Sequence, residues 1–429
     1  MDKTIRKTRS VCPVCLRNVP ARLVREEDGQ VRMEKICPEH GSFRVPVWRG
    51  RVDLDRWSLG AEELAEDAGE HCPENCGLCV EHESETCCIL LEVTNRCQLR
   101  CRFCFANGGA AEEDPPQQEC RDAIRDIVRQ CGKPLIQFSG GEPTLRDDLP
   151  ELIRFAREAG CSYTQVNTNG IRLARDPEYV RKLAEAGLDI VFLQFDGTED
   201  EIYEKLRGAP LLETKLQAIR ACAQARIGVT LVPTVVPGVN DGDLGNIVAL
   251  ARDLMPGVRG VHFQPVSYFG RYPEDPRQED RYTLDQLMAD ISEQTGLPLE
   301  SFLPSRCDHP LCGFHAGILV DLQGEMHPLG SMARAPRGRG CAAENRGYIA
   351  GRWRRSPDGP APGRDLSDEM DFDTFLRLMS HRSLTLSAMA FQDAGNLNVE
   401  RLRRCSLHVY DRGRIVPFCA KYLTEICRK

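Results

Sequence analysis

Residues 95–105 read NRCQLRCRFCF and follow directly on CILLEVT (88–94). The apolar, β-branched run predicts a strand, so Cys97, Cys101 and Cys104 stand on the loop at its C-terminal end. In parallel α/β barrels that edge carries the active site. The spacing C-x3-C-x2-C supplies three thiolates, whereas structural zinc and ordinary cubane clusters take four protein ligands. Three thiols on one short loop can reach three irons of a cube and leave the fourth for a non-protein ligand. Cys120, the next cysteine, falls on the apolar face of a predicted helix, where a buried structural thiol is expected.

Working outward, five further strand candidates follow: LIQFS (135–139), YTQVN (163–167), IVFLQF (190–195), GVTLVPTVV (228–236) and GVHFQPV (260–266). Helical patterns lie between them. One begins after the Pro pair at 115–116 and sets Cys120, Ile124, Ile127, Val128 and Cys131 on a single face. Others span 147–159 and 177–186, each followed by the glycine that stops a helix. Strands alternating with helices predict right-handed βαβ units around a parallel sheet. The fold class expected is α/β, a partial (β/α)6 barrel with cysteine-rich N-terminal and C-terminal metal-binding extensions. The expected divisions are 1–60 (a small Cys3His zinc- or iron-binding knuckle domain), 61–88 (an auxiliary-cluster segment), 89–300 (the barrel) and 301–429 (a C-terminal region with an auxiliary iron–sulfur cluster).

Composition narrows the classes. The 429 residues carry a net charge of −8, which argues against nucleic acid as the main partner. No run of about 18 apolar residues suggests a transmembrane segment, and MDKTIRKTRS leads into VCPVC without the apolar core of a signal peptide. A cytoplasmic protein is expected. Its 21 cysteines, at C-x2-C and C-x3-C-x2-C spacings, read as metal ligands rather than disulfides.

Three other cysteine groups stand out. Cys72, Cys76 and Cys79 repeat the C-x3-C-x2-C spacing after an acidic, helix-like stretch (61–71), and Cys87 in ETCC is the nearest fourth thiol. A closed auxiliary [4Fe–4S] cluster is the expectation, with a zinc knuckle as the alternative. Cys12, Cys15, Cys37 and His40 have the composition of a tetrahedral zinc or mononuclear iron site. In the C-terminal region Cys307, Cys312, Cys341, Cys405, Cys419 and Cys427 remain, with Cys312, Cys405 and Cys419 the strongest candidates for a second auxiliary cluster. Each of Cys312 and Cys405 precedes a strand–turn–strand pattern, and 333–365, rich in Gly, Pro and Arg, reads as a flexible loop. Cys131, Cys161 and Cys222 read as core thiols, and Trp48 and Trp57 as packing residues.

Cys97-x3-Cys101-x2-Cys104, with Phe103 before the last cysteine and FSGGEP (138–143) after the next strand, resembles the signature of the radical S-adenosylmethionine superfamily. The resemblance implies that Cys97, Cys101 and Cys104 hold a catalytic [4Fe–4S] cluster. Gly140, Gly141, Glu142 and Pro143 would hold the methionine amino group. Asn167, Asn169 and Asp196 would contribute from later strand ends, and Gln264 would lie near the adenine. YEKLRG (203–208) resembles a segment often found in these enzymes. The implied chemistry is reductive cleavage of S-adenosylmethionine to a 5′-deoxyadenosyl radical, which abstracts hydrogen from an unactivated carbon. A reductase or a flavodoxin- or ferredoxin-type protein would supply the electron.

CPVC…CPEHG, NCGLCVEH…TC and CSLHVYDRGRIVPFC further resemble the tetraether lipid synthase-like branch. That implies C–C bond formation or methylation on a lipid- or cofactor-like substrate, at the membrane surface if the substrate is a lipid. A peptide maturase and, from another class, a zinc-rich non-catalytic scaffold are the alternatives.

Overall fold

The structure is a computed structural model that describes residues 3–58, 71–73, 76–109, 113–274, 276–277, 280–334, 340–354, 376 and 379–426. Residues 61–70 of the acidic stretch and Cys427 lie outside the described residues. Strands β1 (Lys3–Val11), β2 (Asn18–Arg25), β3 (Val31–Cys37) and β4 (Gly41–Trp48) form a four-stranded antiparallel sheet in sequence order.

The central sheet begins with β5 (Cys88–Thr94), β6 (Leu135–Gly140), β7 (Tyr163–Thr168), β8 (Ile190–Gln194), β9 (Gly228–Val232), β10 (Thr234–Val235) and β11 (Val258–Pro265). β5, β6, β7, β8, β9 and β11 are parallel and adjacent in that order. Helices Gln117–Cys131, Leu149–Ala159 and Pro177–Glu185 occupy the predicted stretches. The mixed α/β architecture with a partial barrel is the one expected.

The C-terminal region completes the sheet. It supplies β12 (Leu303–Pro304), β13 (Gly313–Val320), β14 (Met326–Pro328), β15 (Ser383–Met389), β16 (Leu407–Asp411) and β17 (Arg414–Pro417). β15 lies parallel beside β11 and β16 parallel beside β5, so two parallel strands flank the six read from sequence. Both predicted hairpins form, as β13–β14 and β16–β17. Within 333–365, however, residues Ala342–Trp353 are a helix. Cys341 caps it, its sulfur accepting from Glu344 N while the Glu344 carboxylate accepts from Cys341 N. That reciprocal cap satisfies two otherwise orphaned donors, and Gly347 and Gly351 are tolerated inside it.

The outer face of the parallel strands is apolar. Ile89, Leu91, Ile136, Phe138, Val166, Leu193, Leu231 and Phe263 are all buried. They pack with helix residues such as Ile124, Ile127, Leu152, Ile153 and Leu183 in one core. Each such side chain contributes about 2 kcal/mol by leaving water. The N-terminal sheet packs Leu23, Met33, Val45 and Trp48 into the same apolar core and is pinned by polar contacts. Arg6 pairs with Glu400, and Thr8 donates to Asn398. Buried Lys35 donates to Ser10 and the Ala394 carbonyl. Trp48 and Trp57 pack 6.2 Å apart, and Trp57 donates to the Pro310 carbonyl.

Candidate active site and metal centres

Strands alternate their faces, and the face opposite the apolar one lines a lumen of ≈ 290 Å³. TIM-barrel lumens are ordinarily filled by bulky branched residues. Here Gln137, Gln165, Asn167, Gln194, His262 and Gln264 line it among apolar residues such as Leu90, Phe192 and Val232. Cys97, Cys101 and Cys104 stand at its C-terminal end with Gly140, Gly141 and Glu142.

The cysteine loop is held by backbone. Cys104 and Arg271 exchange both backbone hydrogen bonds at 2.9 Å, and the Arg271 side chain donates to the carbonyls of Cys101 and Gly108. Arg96, in an ion pair with Asp114, pins the other flank. Close approach explains the glycine pair: a Cβ at Gly140 would meet Thr94 O at 2.2 Å, and one at Gly141 would meet Arg96 O at 2.3 Å. Gly141 N and Glu142 N donate to those same carbonyls at 2.7 Å. The next strand end is therefore laced to the cysteine loop.

Glu142 is buried and accepts from Thr144, Thr168 and the Asn169 amide. Burial raises its carboxyl above the ordinary range, and these hydrogen bonds oppose the rise. Asn167 accepts from Gln137 and donates to Ser139; Asn169 accepts from Gln98 and Ile171 N. Phe103 meets Tyr268 edge-on at 6.3 Å. Of the residues singled out from sequence here, Phe103, Gly140, Gly141, Glu142, Asn167, Asn169 and Gln264 border the lumen. Pro143 does not; it opens the short turn Pro143–Leu145 behind the loop.

Asp196 follows β8 as expected but does not border the lumen. It is fully buried behind the lumen wall, and both carboxylate oxygens accept from Arg207, at 2.7 and 2.6 Å. Arg207, which sequence reasoning passed over inside YEKLRG, is the lumen residue. It also donates to the Phe103 carbonyl and faces the Cys101 sulfur. A second unnoticed cation, Lys215, is buried and donates to the Asn169 carbonyl at 2.6 Å and to Gln194 at 3.1 Å. Burial pulls its amine down to about 8.

The N-terminal site has a different geometry. The ligand atoms of Cys12, Cys15, Cys37 and His40 all lie within 4.8 Å of one another, the one such group among the described residues. Cys15 and Cys37 sulfurs are 3.9 Å apart, and His40 Nδ1 is 3.6 and 3.5 Å from the sulfurs of Cys12 and Cys37. A tetrahedral ion with bonds of about 2.3 Å to sulfur sets an edge of about 3.8 Å. This donor set fits one ion. Cys97, Cys101 and Cys104 are spread too widely to form such a group, as thiolates bound to separate irons of a cube must be. Burial pushes the Cys97 thiol up to about 11, so its thiolate calls for a metal partner.

The remaining cysteines regroup. Cys76 lies beside Cys72 and within electrostatic reach of Cys79 and Cys405. The Cys87 sulfur accepts from Asn345 at 3.2 Å and lies near Cys307, whose thiol donates to the Cys341 carbonyl. Sequence proximity grouped Cys87 with Cys72, Cys76 and Cys79; in the structure Cys87 stands at the start of β5 beside Asn345 and Cys307, and Cys405 is a further thiol beside the 72–79 segment. Cys312 and Cys419 are mutual neighbours of Cys405. The Cys312 sulfur accepts from Arg401 and that of Cys419 from Gln392 N.

Residues 91–251 match the radical SAM superfamily, and residues 4–49 match the HMPTM N-terminal zinc ribbon domain. The chain is 33% identical to a 7,8-dihydro-6-hydroxymethylpterin dimethyltransferase of Methanocaldococcus jannaschii, across 96% of this chain and 92% of that protein. It is 32% identical to an Fe-coproporphyrin III synthase of Methanosarcina barkeri, across 52% of this chain and 56% of that protein. A Streptococcus suis protein solved with S-adenosylmethionine aligns at 16% identity over 47% of this chain and 44% of that chain, with a TM-score of 0.37.

Proposed function

The chain belongs to the radical S-adenosylmethionine superfamily, and from that premise we propose that it methylates unactivated carbon on a pterin-like ring. One S-adenosylmethionine would give the hydrogen-abstracting radical and leave as methionine and 5′-deoxyadenosine. A second would give the methyl group and leave as S-adenosylhomocysteine, and the electron donor would supply both electrons. It is an enzyme, which sets aside the non-catalytic scaffold. The bound [4Fe–4S] cluster and S-adenosylmethionine supply hydrogen-atom abstraction at such a carbon. The protein's part is to bind, orient and exclude water.

In this reading Cys97, Cys101 and Cys104 hold the catalytic cluster, and their wide spread supports a cube over a single ion. Gly140, Gly141 and Glu142, flush against the cysteine loop, form the cradle for the methionine end. Gln264, Asn167 and Asn169 border the adenosine. Arg207 acts as a positioning residue, its charge compensated by Asp196. The 72–79 thiols with Cys405 hold an auxiliary cluster, with Cys312 and Cys419 close by. The Cys12–His40 set takes zinc, in keeping with the zinc-ribbon match. Reduction comes from a flavodoxin- or ferredoxin-type donor.

One observation carries the substrate class. A row of amides and an imidazole, Gln137, Gln165, Gln194 and His262, faces the lumen where a packed barrel has branched alkyl groups. Part of the row is paired within the wall, Gln137 donating to Asn167 and Gln194 accepting from Lys215. The polar groups left open beside an alkyl chain would lose their hydrogen bonds to water, a cost of about 1–3 kcal/mol each. A nitrogen-rich ring returns those bonds. The lumen thus supports the cofactor-like half of the sequence expectation over the tetraether-lipid half. The similar dimethyltransferase points the same way. No helix among the described residues is long and apolar enough to cross a membrane.

The test is anaerobic turnover of reconstituted protein with S-adenosylmethionine, a reductant and 7,8-dihydro-6-hydroxymethylpterin. Formation of 5′-deoxyadenosine together with a pterin heavier by one or two methyl groups is expected. Substrate-independent 5′-deoxyadenosine with unmodified pterin would reject the reading.

A further inference from the structure

The end of the lumen away from Cys97–Cys104 is closed by helix Ala342–Trp353. Asn345, Ile349 and Trp353, at i, i+4 and i+8, form one stripe of that helix and all line the cavity. The helix is fixed in place at both ends. Arg346 donates to the Thr86 carbonyl at 2.7 Å, Arg259 donates to the Arg352 carbonyl at 3.2 Å, and Arg354 pairs with Asp189. Tyr348 packs edge-on against His315 of β13 at 5.3 Å. A stripe held this firmly sets the depth of the cavity.

Its two ends differ in chemistry. At one end Trp353 packs with Phe192 at 5.1 Å and His262 at 6.0 Å, and Phe192 and His262 are 5.3 Å apart. Three ring systems converge there, with His262 Nδ1 engaged by Ser387 Oγ at 2.9 Å. At the other end Asn345 spends its amide N–H on Cys87, and Asp308 and Ser406 border the same part of the cavity. Eight residues of helix at 1.5 Å each separate Asn345 from Trp353 by about 12 Å. That span suits a flat bicyclic ring with a short substituent.

We infer that helix Ala342–Trp353 is the specificity gauge of the lumen: Trp353, with Phe192 and His262, packs against the substrate's ring, Ile349 sets its depth, and Asn345 meets its polar edge. The inference rests on the pterin-like reading above and adds the residues that select the ring. Aromatic faces favour a planar partner at offset or edge-on geometry. The amide row on the opposite wall supplies hydrogen bonds to the ring's perimeter. A substrate longer than the span, whether an alkyl chain or a peptide, meets the helix backbone.

The experiment measures equilibrium binding of 7,8-dihydro-6-hydroxymethylpterin to the anaerobically reconstituted full-length protein, with iron and sulfide content reporting a folded holoenzyme. Trp353→Ala removes the aromatic face and should weaken binding about tenfold or more, whereas Trp353→Phe should stay within about threefold. Ile349→Trp keeps the anchors and fills the lumen, and should weaken binding comparably. Wild-type binding that neither Trp353→Ala nor Ile349→Trp alters would overturn the gauge alone. Failure of the wild type itself to bind the pterin would overturn the substrate reading and the gauge together.

Discussion

Arg207 grips Asp196 with two guanidinium nitrogens, at 2.6 and 2.7 Å, and both residues are buried. The Asp196 carboxylate also accepts from Thr234 N at 3.2 Å. Its carbonyl accepts from Asn240 at 2.8 Å. The pair links the end of β8 to the Cys101–Cys104 loop. Asp196→Asn leaves the Arg207 charge buried without its counter-ion, at a cost of about 3–5 kcal/mol. We expect a lower thermal unfolding midpoint and incomplete iron loading. Arg207→Lys keeps the charge but not the two-pronged geometry and should fall between. A midpoint and iron content unchanged in Asp196→Asn would refute the role assigned to the pair.

Thiol substitutions separate the cysteine groups. The triple variant Cys97→Ala, Cys101→Ala, Cys104→Ala should lose about four irons per chain and all 5′-deoxyadenosine formation. Cys405→Ala should lower iron by a similar amount by opening the 72–79 site, whereas Cys87→Ala should leave that site's electron paramagnetic resonance signal in place. Loss of that signal in Cys87→Ala with retention in Cys405→Ala would restore the grouping suggested by sequence proximity.

The contrast between Cys87 and Cys405 shows what a sequence reveals and what it hides. The six strands were legible because their apolar, β-branched runs are bounded by glycine-stopped helices such as the one ending at Gly160. The tetrahedral set was legible because Cys12, Cys15, Cys37 and His40 sit on two short turns of one small sheet. Cys405 was not, since it meets Cys76 only after the chain has completed the sheet with β15 and turned back toward β5. β15 and β16 join by long-range pairing that no local period announces. Helix Ala342–Trp353 was hidden by its glycines and arginines, yet its cap and its tertiary anchors outweigh their low helix propensity, which costs about 1 kcal/mol per glycine. The lumen amides were in plain view: Gln137 and Gln194 stand between apolar neighbours and Gln165 between Thr164 and Val166, but only the curved sheet tells which face is inside.

Zinc should hold the N-terminal sheet and, through it, the segment around Ala394. Cys37 gains from this directly. Burial works against its thiolate, but hydrogen bonds from His40 and nearby backbone bring the thiol down to about 6. It is ready to ligate at neutral pH. Cys37→Ser should abolish stoichiometric zinc and lower the unfolding midpoint, because structural zinc contributes folding free energy outright. With the sheet loosened, the contact of Lys35 with the Ala394 carbonyl should go too, seen as faster amide exchange over residues 390–400. Retained zinc, or a midpoint equal to wild type, would contradict this.

Acid should destabilise the protein through buried imidazoles. His262 is held down to about 4 by burial alone, and His315 likewise to about 4, first by burial and then by the charges of Arg352 and Arg306. In the unfolded chain both return to an ordinary value of 6.5. Between pH 6.5 and 4 the unfolded state therefore binds protons that the folded state refuses, and stability falls as pH drops through that window. Above 6.5 both states are neutral and the contribution is fully present. Each histidine adds a slope of about 1.4 kcal/mol per pH unit inside the window. Denaturant midpoints measured anaerobically at pH 5 and pH 7 should differ more for wild type than for His262→Gln, which retains a partner for Ser387 but does not titrate. Comparing the two proteins cancels acid effects on the metal centres, which they share. Equal pH dependence in both would show that His262 is not the group responsible.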